Sequence, residues 1–93
     1  MSSSKKPPKP YRLEIESRAE RALLRLPRER FLSIVAAIQA LAQEPRPQGC
    51  RKLIGSKHDY RIRVGVYRVI YEVSDPEATV RVMLVRHRSK AYR

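Results

Sequence analysis

The stretch Tyr60-Arg61-Ile62-Arg63-Val64-Gly65-Val66-Tyr67-Arg68-Val69-Ile70-Tyr71-Glu72-Val73 decides how this chain folds. Its first five residues alternate. Successive side chains of a strand point to opposite sides, so Tyr60, Ile62 and Val64 share one face while Arg61 and Arg63 share the other. Gly65 marks a tight connection, because glycine enters the left-handed backbone region without a steric penalty. Residues 66–73 are apolar at nearly every position except Arg68 and Glu72, which predicts a central strand. A one-residue turn at Gly65 would bring Arg68 beside Arg61 and Arg63.

Working outward, residues 75–78 carry Asp75 and Pro76 and read as a turn. Residues 79–85 form a further strand, and residues 86–93 a basic tail. Upstream, residues 50–54 read as a short strand ending at Gly55, with a polar turn over residues 55–59. Residues 11–16 alternate and predict an amino-terminal strand. Ser17 offers an N-cap oxygen with Glu20 three residues on, the spacing of a capping box. Ala19, Ala22, Leu23 and Leu26 follow at helical spacing, and Pro27 either ends this helix or opens the next. In the second helix Phe31, Ile34, Val35, Ile38, Leu41 and Ala42 make one buried stripe. Pro45 and Pro47 stop it.

The expected architecture is therefore α+β in a single domain over residues 11–93. An amino-terminal strand and a helix hairpin precede an antiparallel meander of three to four strands, and the helices cover one sheet face. Residues 1–10 carry Ser, Lys and Pro and read as a flexible basic tail.

Lys and Arg number 21 against 9 Asp and Glu, a formal net charge of +12 on 93 residues. Such an excess draws polyanions toward the chain and speeds encounter with them. Nothing approaches the ~20 apolar residues of a spanning helix, so a membrane is not an expected partner. Neither is a signal peptide. One cysteine, Cys50, cannot form an intrachain disulfide, which fits a reducing cytoplasm. A small, semi-buried side chain is the expected role of that thiol.

The sequence has no glycine-rich phosphate loop and no Cys/His spacing for zinc. Its carboxylates are not clustered as a magnesium site requires, so no metal and no cofactor are expected. Arginine remains. A single Arg on a strand face is ordinarily a solvated surface residue. A cluster without matching carboxylates is different, because like charges on one sheet face repel and a bound phosphate offsets that cost. Arg61, Arg63 and Arg68 make such a cluster, and Arg86 and Arg88 share a face at the end of the last strand with His87 opposite them.

The segment from Tyr60 to Val73, followed by His87-Arg88 and Tyr92-Arg93, resembles the RelE/ParE toxin superfamily. Arg51-Lys52-Leu53 and the Leu26-Pro27 break fit as well, so the resemblance covers residues 11–93. It implies a RelE-like fold and the toxin of a type II toxin-antitoxin system. The implied activity is an endoribonuclease that cuts messenger RNA on the ribosome without metal. In that reaction the 2′-hydroxyl attacks the adjacent phosphate. The family's basic pair before the glycine turn matches Arg61 and Arg63, often Lys in relatives. Its arginine after the turn matches Arg68, its late basic residue Arg88 and its carboxy-terminal tyrosine Tyr92. This chain departs from many relatives in having Val66 after the turn glycine and Arg86 before the His-Arg pair.

Roles follow from protonation. Arginine is always charged, so Arg61, Arg63, Arg68 and Arg88 are expected to stabilise charge rather than accept protons. Surrounding guanidinium groups favour a phenolate, which makes Tyr92 a candidate general base; a stacking platform is the other role open to it. His87 is a candidate acid by its intrinsic titration range. Lys52, Lys57, Arg86 and Lys90 are expected to contact the RNA backbone. Partners implied by the resemblance are a cognate antitoxin, in an assembly up to a heterotetramer, together with the ribosome and messenger RNA. The alternative is a ParE-like inhibitor of DNA gyrase without nuclease activity. The gyrase-directed branch generally lacks the basic trio and the terminal tyrosine.

Overall fold

The computed structural model describes residues 10–90. The amino-terminal tail expected over residues 1–10 lies almost wholly outside that range, as does Tyr92. Strand β1 (Arg12–Ile15) leads into helices α1 (Ser17–Leu24) and α2 (Arg28–Ala40). Strands β2 (Arg51–Lys52), β3 (Asp59–Val64), β4 (Tyr67–Ser74) and β5 (Thr79–His87) follow, and a 3-10 turn covers Arg88–Lys90. They form one sheet in the order β1-β5-β4-β3-β2. The α+β architecture is as the sequence predicts, and the apolar segment after Gly65 is the middle strand. β1 crosses to the far side and pairs parallel with β5, Leu13 beside Val80 and Ile15 beside Val82.

Both helices lie on one face of the sheet. Ala19 and Leu23 from α1, Ile34 and Ile38 from α2, and Leu41 just beyond it are buried against Ile62, Val69, Tyr71, Val73, Val80, Val82 and Val85. Three of the six stripe positions read for α2, namely Ile34, Ile38 and Leu41, are fully buried. Phe31, Val35 and Ala42 are half-buried at its margin. Cys50 is a half-buried free thiol.

Three local expectations shift. The N-cap of α1 is Glu16, not Ser17, and no side chain caps it. The Glu16 N–H donates to Val82 O at 2.9 Å. That bond holds Glu16 extended, so the helix turns in one residue earlier than the capping box suggests. β2 is only Arg51–Lys52, because Leu53 N–H already turns inward to Asp59 O at 2.9 Å and Ile54 is wholly exposed. The β3–β4 connection has two residues rather than one, since Val64 pairs with Tyr67. Gly65 has φ 61 and Val66 lies outside the left-handed region, the pattern of a type II′ hairpin.

A polar latch closes the end of the sheet away from that hairpin. Arg46 donates to Tyr60 Oη at 3.0 Å and, through two nitrogens, to both Asp75 oxygens at 3.3 and 3.0 Å. The Tyr11 hydroxyl donates to Asp75 Oδ1 at 2.6 Å. The Asp75 carboxyl is held below the usual carboxylate range by the Tyr11 hydrogen bond and then by Arg46. Tyr60 and Tyr71 stack with centroids 5.9 Å apart, and Tyr71 donates to Pro45 O at 2.8 Å. Burial pushes the Tyr71 phenol up, so it stays protonated as that donor. The loop after α2 is thereby tied to the β4–β5 turn.

Candidate active site at the arginine end of the sheet

The face of the sheet opposite the helices is built from alternate residues of each strand. Register partners share a face, so its side chains can be listed row by row. At the hairpin end Arg63 pairs with Arg68 and Arg68 with Arg86, giving an arginine on each of three adjacent strands. In the next row Arg51 pairs with Arg61, Arg61 with Ile70 and Ile70 with Leu84. Beyond it Asp59, Glu72, Arg81 and Glu14 stand side by side.

Arg86 reaches this face through a bulge. Val80 and Val82 face the core opposite Val73 and Tyr71, so strict alternation would send Leu84 and Arg86 inward as well. The register shift at Ile70/Tyr71 leaves Met83 unpaired and resets the phase. Val85 and His87 then face the helix side, and Leu84 and Arg86 the open side.

The open face is electrostatically divided. At its far end Arg81 bridges Glu14 at 3.3 Å and Glu72 at 3.0 Å, and Arg12 meets Glu14 at 3.2 Å. At the hairpin end no carboxylate pairs with Arg63 or Arg88 among the described residues. Arg61, Arg68 and Arg86 take part in further interactions, although Arg68 Nε itself is shielded from solvent and makes no hydrogen bond. Like charges at such spacing repel, a cost that a bound anion would offset.

A cleft of about 350 Å³ opens there, lined by Arg63, Gly65, Tyr67, Arg68 and Arg88. Arg88 is held at it by its backbone N–H, which donates to Val66 O at 2.7 Å. Hairpin and chain end therefore converge, and Arg63, Arg68 and Arg88 line one concavity. Arg61 and Arg86 lie beside it on the same face.

The remaining expected residues are placed otherwise. His87 is across from Tyr67 on the helix face and packs edge-on against its ring, with centroids 5.4 Å apart. The Ser89 N–H donates to His87 Nδ1 at 3.1 Å. Nδ1 is thus an acceptor, and the neutral ring carries its proton on Nε2. His87 does not line the cleft. Lys52 pairs with Tyr60, so its register puts it on the helix-side face of β2. Lys57 is exposed in the β2–β3 turn. Lys90 closes the 3-10 turn. Two neighbours of the site escaped the sequence reading. Tyr67 lines the cleft although alternation marks it as a core residue, and Arg51 shares the face of Arg61. The signal for Arg51 is its strand register, which residues 50–54 alone do not reveal. Among the described residues no three His, Cys, Asp or Glu side chains gather closely enough to hold a metal ion. No described helix is long and apolar enough to cross a membrane.

Residues 13–92 match the sequence model of the family described as ParE toxin of type II toxin-antitoxin system, parDE. The chain is 33% identical to Toxin RelG of Mycobacterium tuberculosis, over 90% of this chain and 98% of that protein. Its fold is similar to the archaeal RelE-RelB complex from Pyrococcus horikoshii, with TM-score 0.77 and 30% identity over 87% of this chain and 98% of that one. It is likewise similar to the E. coli RelBE toxin-antitoxin complex, with TM-score 0.73 and 25% identity over 83% and 95% of the two chains. With a RelE-like fold and a family match that spans both the helix hairpin and the arginine hairpin, this chain belongs to the RelE/ParE superfamily of type II toxin-antitoxin toxins.

Proposed function

We propose that the chain is a ribosome-dependent, metal-independent endoribonuclease that cuts messenger RNA in the cytoplasm and is silenced by a cognate antitoxin. The observation that carries this reading is the convergence of Arg63, Arg68 and Arg88 on one cleft, with the carboxylates of the same face gathered at its other end.

The chemistry asks for what that cleft offers. The 2′-oxygen attacks the neighbouring phosphorus, an O2′–P bond forms and the P–O5′ bond breaks. The 2′-proton goes to a base, and the 5′-oxygen leaves with a proton from an acid. The products are a 2′,3′-cyclic phosphate and a 5′-hydroxyl. Negative charge accumulates on the phosphoryl oxygens between these events. Guanidinium groups fixed in advance stabilise it without reorganising, and removing one such donor ordinarily costs about 10²–10³ in rate. Arg63, Arg68 and Arg88 take that role, and Arg61 and Arg86 hold the strand beside them. Arginine cannot serve as the base, and Tyr92 is the residue proposed for it. The Nε2–H tautomer leaves His87 with a donor, but its ring sits behind Tyr67. Its proposed part is to support that cleft wall as well as to relay a proton.

The relatives of known structure that carry RelB as partner support an antitoxin for this chain. The proposed assembly with it extends up to a heterotetramer. An acidic partner over the arginine end would relieve its repulsion and exclude RNA together.

The matching family model bears the ParE name, which favours a second reading as a gyrase inhibitor. Expression without an antitoxin separates the two. The nuclease reading expects growth arrest with messages truncated inside translated codons. Intact messages alongside inhibited gyrase would establish the other.

A further inference from the structure

The cleft has room for the phosphate being cut, and the strand bearing it must run on across the sheet. Two features of the open face determine where. Toward the far end, Glu14 and Glu72 flank Arg81 and Asp59 stands beyond Glu72, and a phosphate meeting these carboxylates is repelled. Toward β2, the face continues with Arg61 and then Arg51, its register partner on the edge strand. Arg61 and Arg63 are two residues apart on β3, about 7 Å along the strand. The Arg51 side chain is exposed and makes no ion pair or side-chain hydrogen bond with another described residue, while its backbone is paired with Arg61. Arg63, Arg61 and Arg51 therefore make a stepped cationic path from the cleft to the open edge of the sheet.

We infer that the RNA strand being cut leaves the cleft over the β2 edge, with Arg51 binding a phosphate outside the reacting one. This rests on the nuclease reading. Arg51 then acts on binding of the extended strand and takes no part in the bond-breaking step.

The test uses the full chain carrying Arg68→Ala to prevent cleavage, and single-stranded RNA oligonucleotides of four and ten nucleotides. Binding is measured by fluorescence anisotropy over a range of salt. Adding Arg51→Ala is expected to weaken the ten-nucleotide complex several-fold and to lower its salt slope by about 0.7, the value of one phosphate contact on a single strand. The four-nucleotide complex should be unchanged. Arg28→Ala, which removes equal charge from the helix side, should leave the salt slope of the ten-nucleotide complex in place. Equal losses from Arg51→Ala and Arg28→Ala, or no loss from Arg51→Ala, would overturn the inference. The nuclease reading fails separately, if the chain with Arg68 intact binds RNA through Arg61 and Arg51 yet leaves messages whole on translating ribosomes.

Discussion

Arg68 is the residue on which the most converges. It is half-buried in the middle strand, stands between Arg63 and Arg86, and lines the cleft. Arg68→Ala should lower the cleavage rate about 100-fold, the ordinary cost of one transition-state donor, while the circular dichroism spectrum keeps its native form. Arg68→Lys retains the charge but loses the planar fork and should recover only part of the rate. Unchanged turnover in both would remove Arg68 from the site. Tyr92→Phe asks for the base: a fall in rate at constant RNA affinity fits proton abstraction, whereas weaker binding at constant rate fits stacking. At the other end of the sheet, Tyr71→Phe removes a buried donor and leaves the Pro45 carbonyl unsatisfied. Denaturant unfolding should show a loss of about 1–2 kcal/mol.

At the scale of elements, the β3–β4 hairpin carries both the fold and the site. Gly65 has φ 61, and a Cβ there would meet nothing within 4 Å. The cost of a side chain is therefore conformational rather than one of crowding. Gly65→Val and Gly65→Asn should each destabilise the chain by about 1–2 kcal/mol, because the first central position of a type II′ turn takes a positive φ that side chains disfavour and glycine alone adopts freely. Thermal melts compare the two; equal stability of all three proteins would show that the turn is not under this constraint. This hairpin was also the most legible part of the sequence, since strict alternation in residues 60–64 assigns Arg61 and Arg63 to one face without any knowledge of pairing. Alternation carried less information farther along. Arg86 lies on the open face only because the bulge at Met83 resets β5, and its grouping with Arg68 depends on a register that no local pattern encodes. The parallel pairing of β1 with β5 is equally silent in the sequence, because it joins strands separated by every other element of the fold. Arg51 was hidden for a related reason: a two-residue edge strand is too short to show a period.

For the whole molecule, the sheet separates two kinds of electrostatics. One end is tied by carboxylates, through Arg81 with Glu14 and Glu72 and through Asp75 with Arg46 and Tyr11. At the other end Arg63 and Arg88 have no carboxylate partner among the described residues. The two ends answer differently to solution conditions. The folded-state carboxyl of Asp75 binds a proton less readily than it does in the unfolded chain. Its contribution to stability is thus complete above the unfolded value, at about pH 4, and is lost as pH falls through the lower folded value. Asp75→Asn should flatten the acid side of a melting-temperature profile. An unchanged profile would mean that the latch contributes nothing. If the arginine end binds RNA as proposed, stability near neutral pH should instead rise with added polyanion, since a ligand of the folded chain alone stabilises it.

The most direct measurement incubates the purified chain with ribosomes carrying a defined message and then maps the RNA ends, with Arg68→Ala alongside. The account predicts cuts within codons in the decoding site, only when ribosomes are present and equally in a metal chelator that leaves the ribosomes intact. The new ends should be a 2′,3′-cyclic phosphate and a 5′-hydroxyl, and the variant should cut about 100-fold more slowly. Messages left whole by the wild-type chain, or cut as fast by the variant, would contradict it.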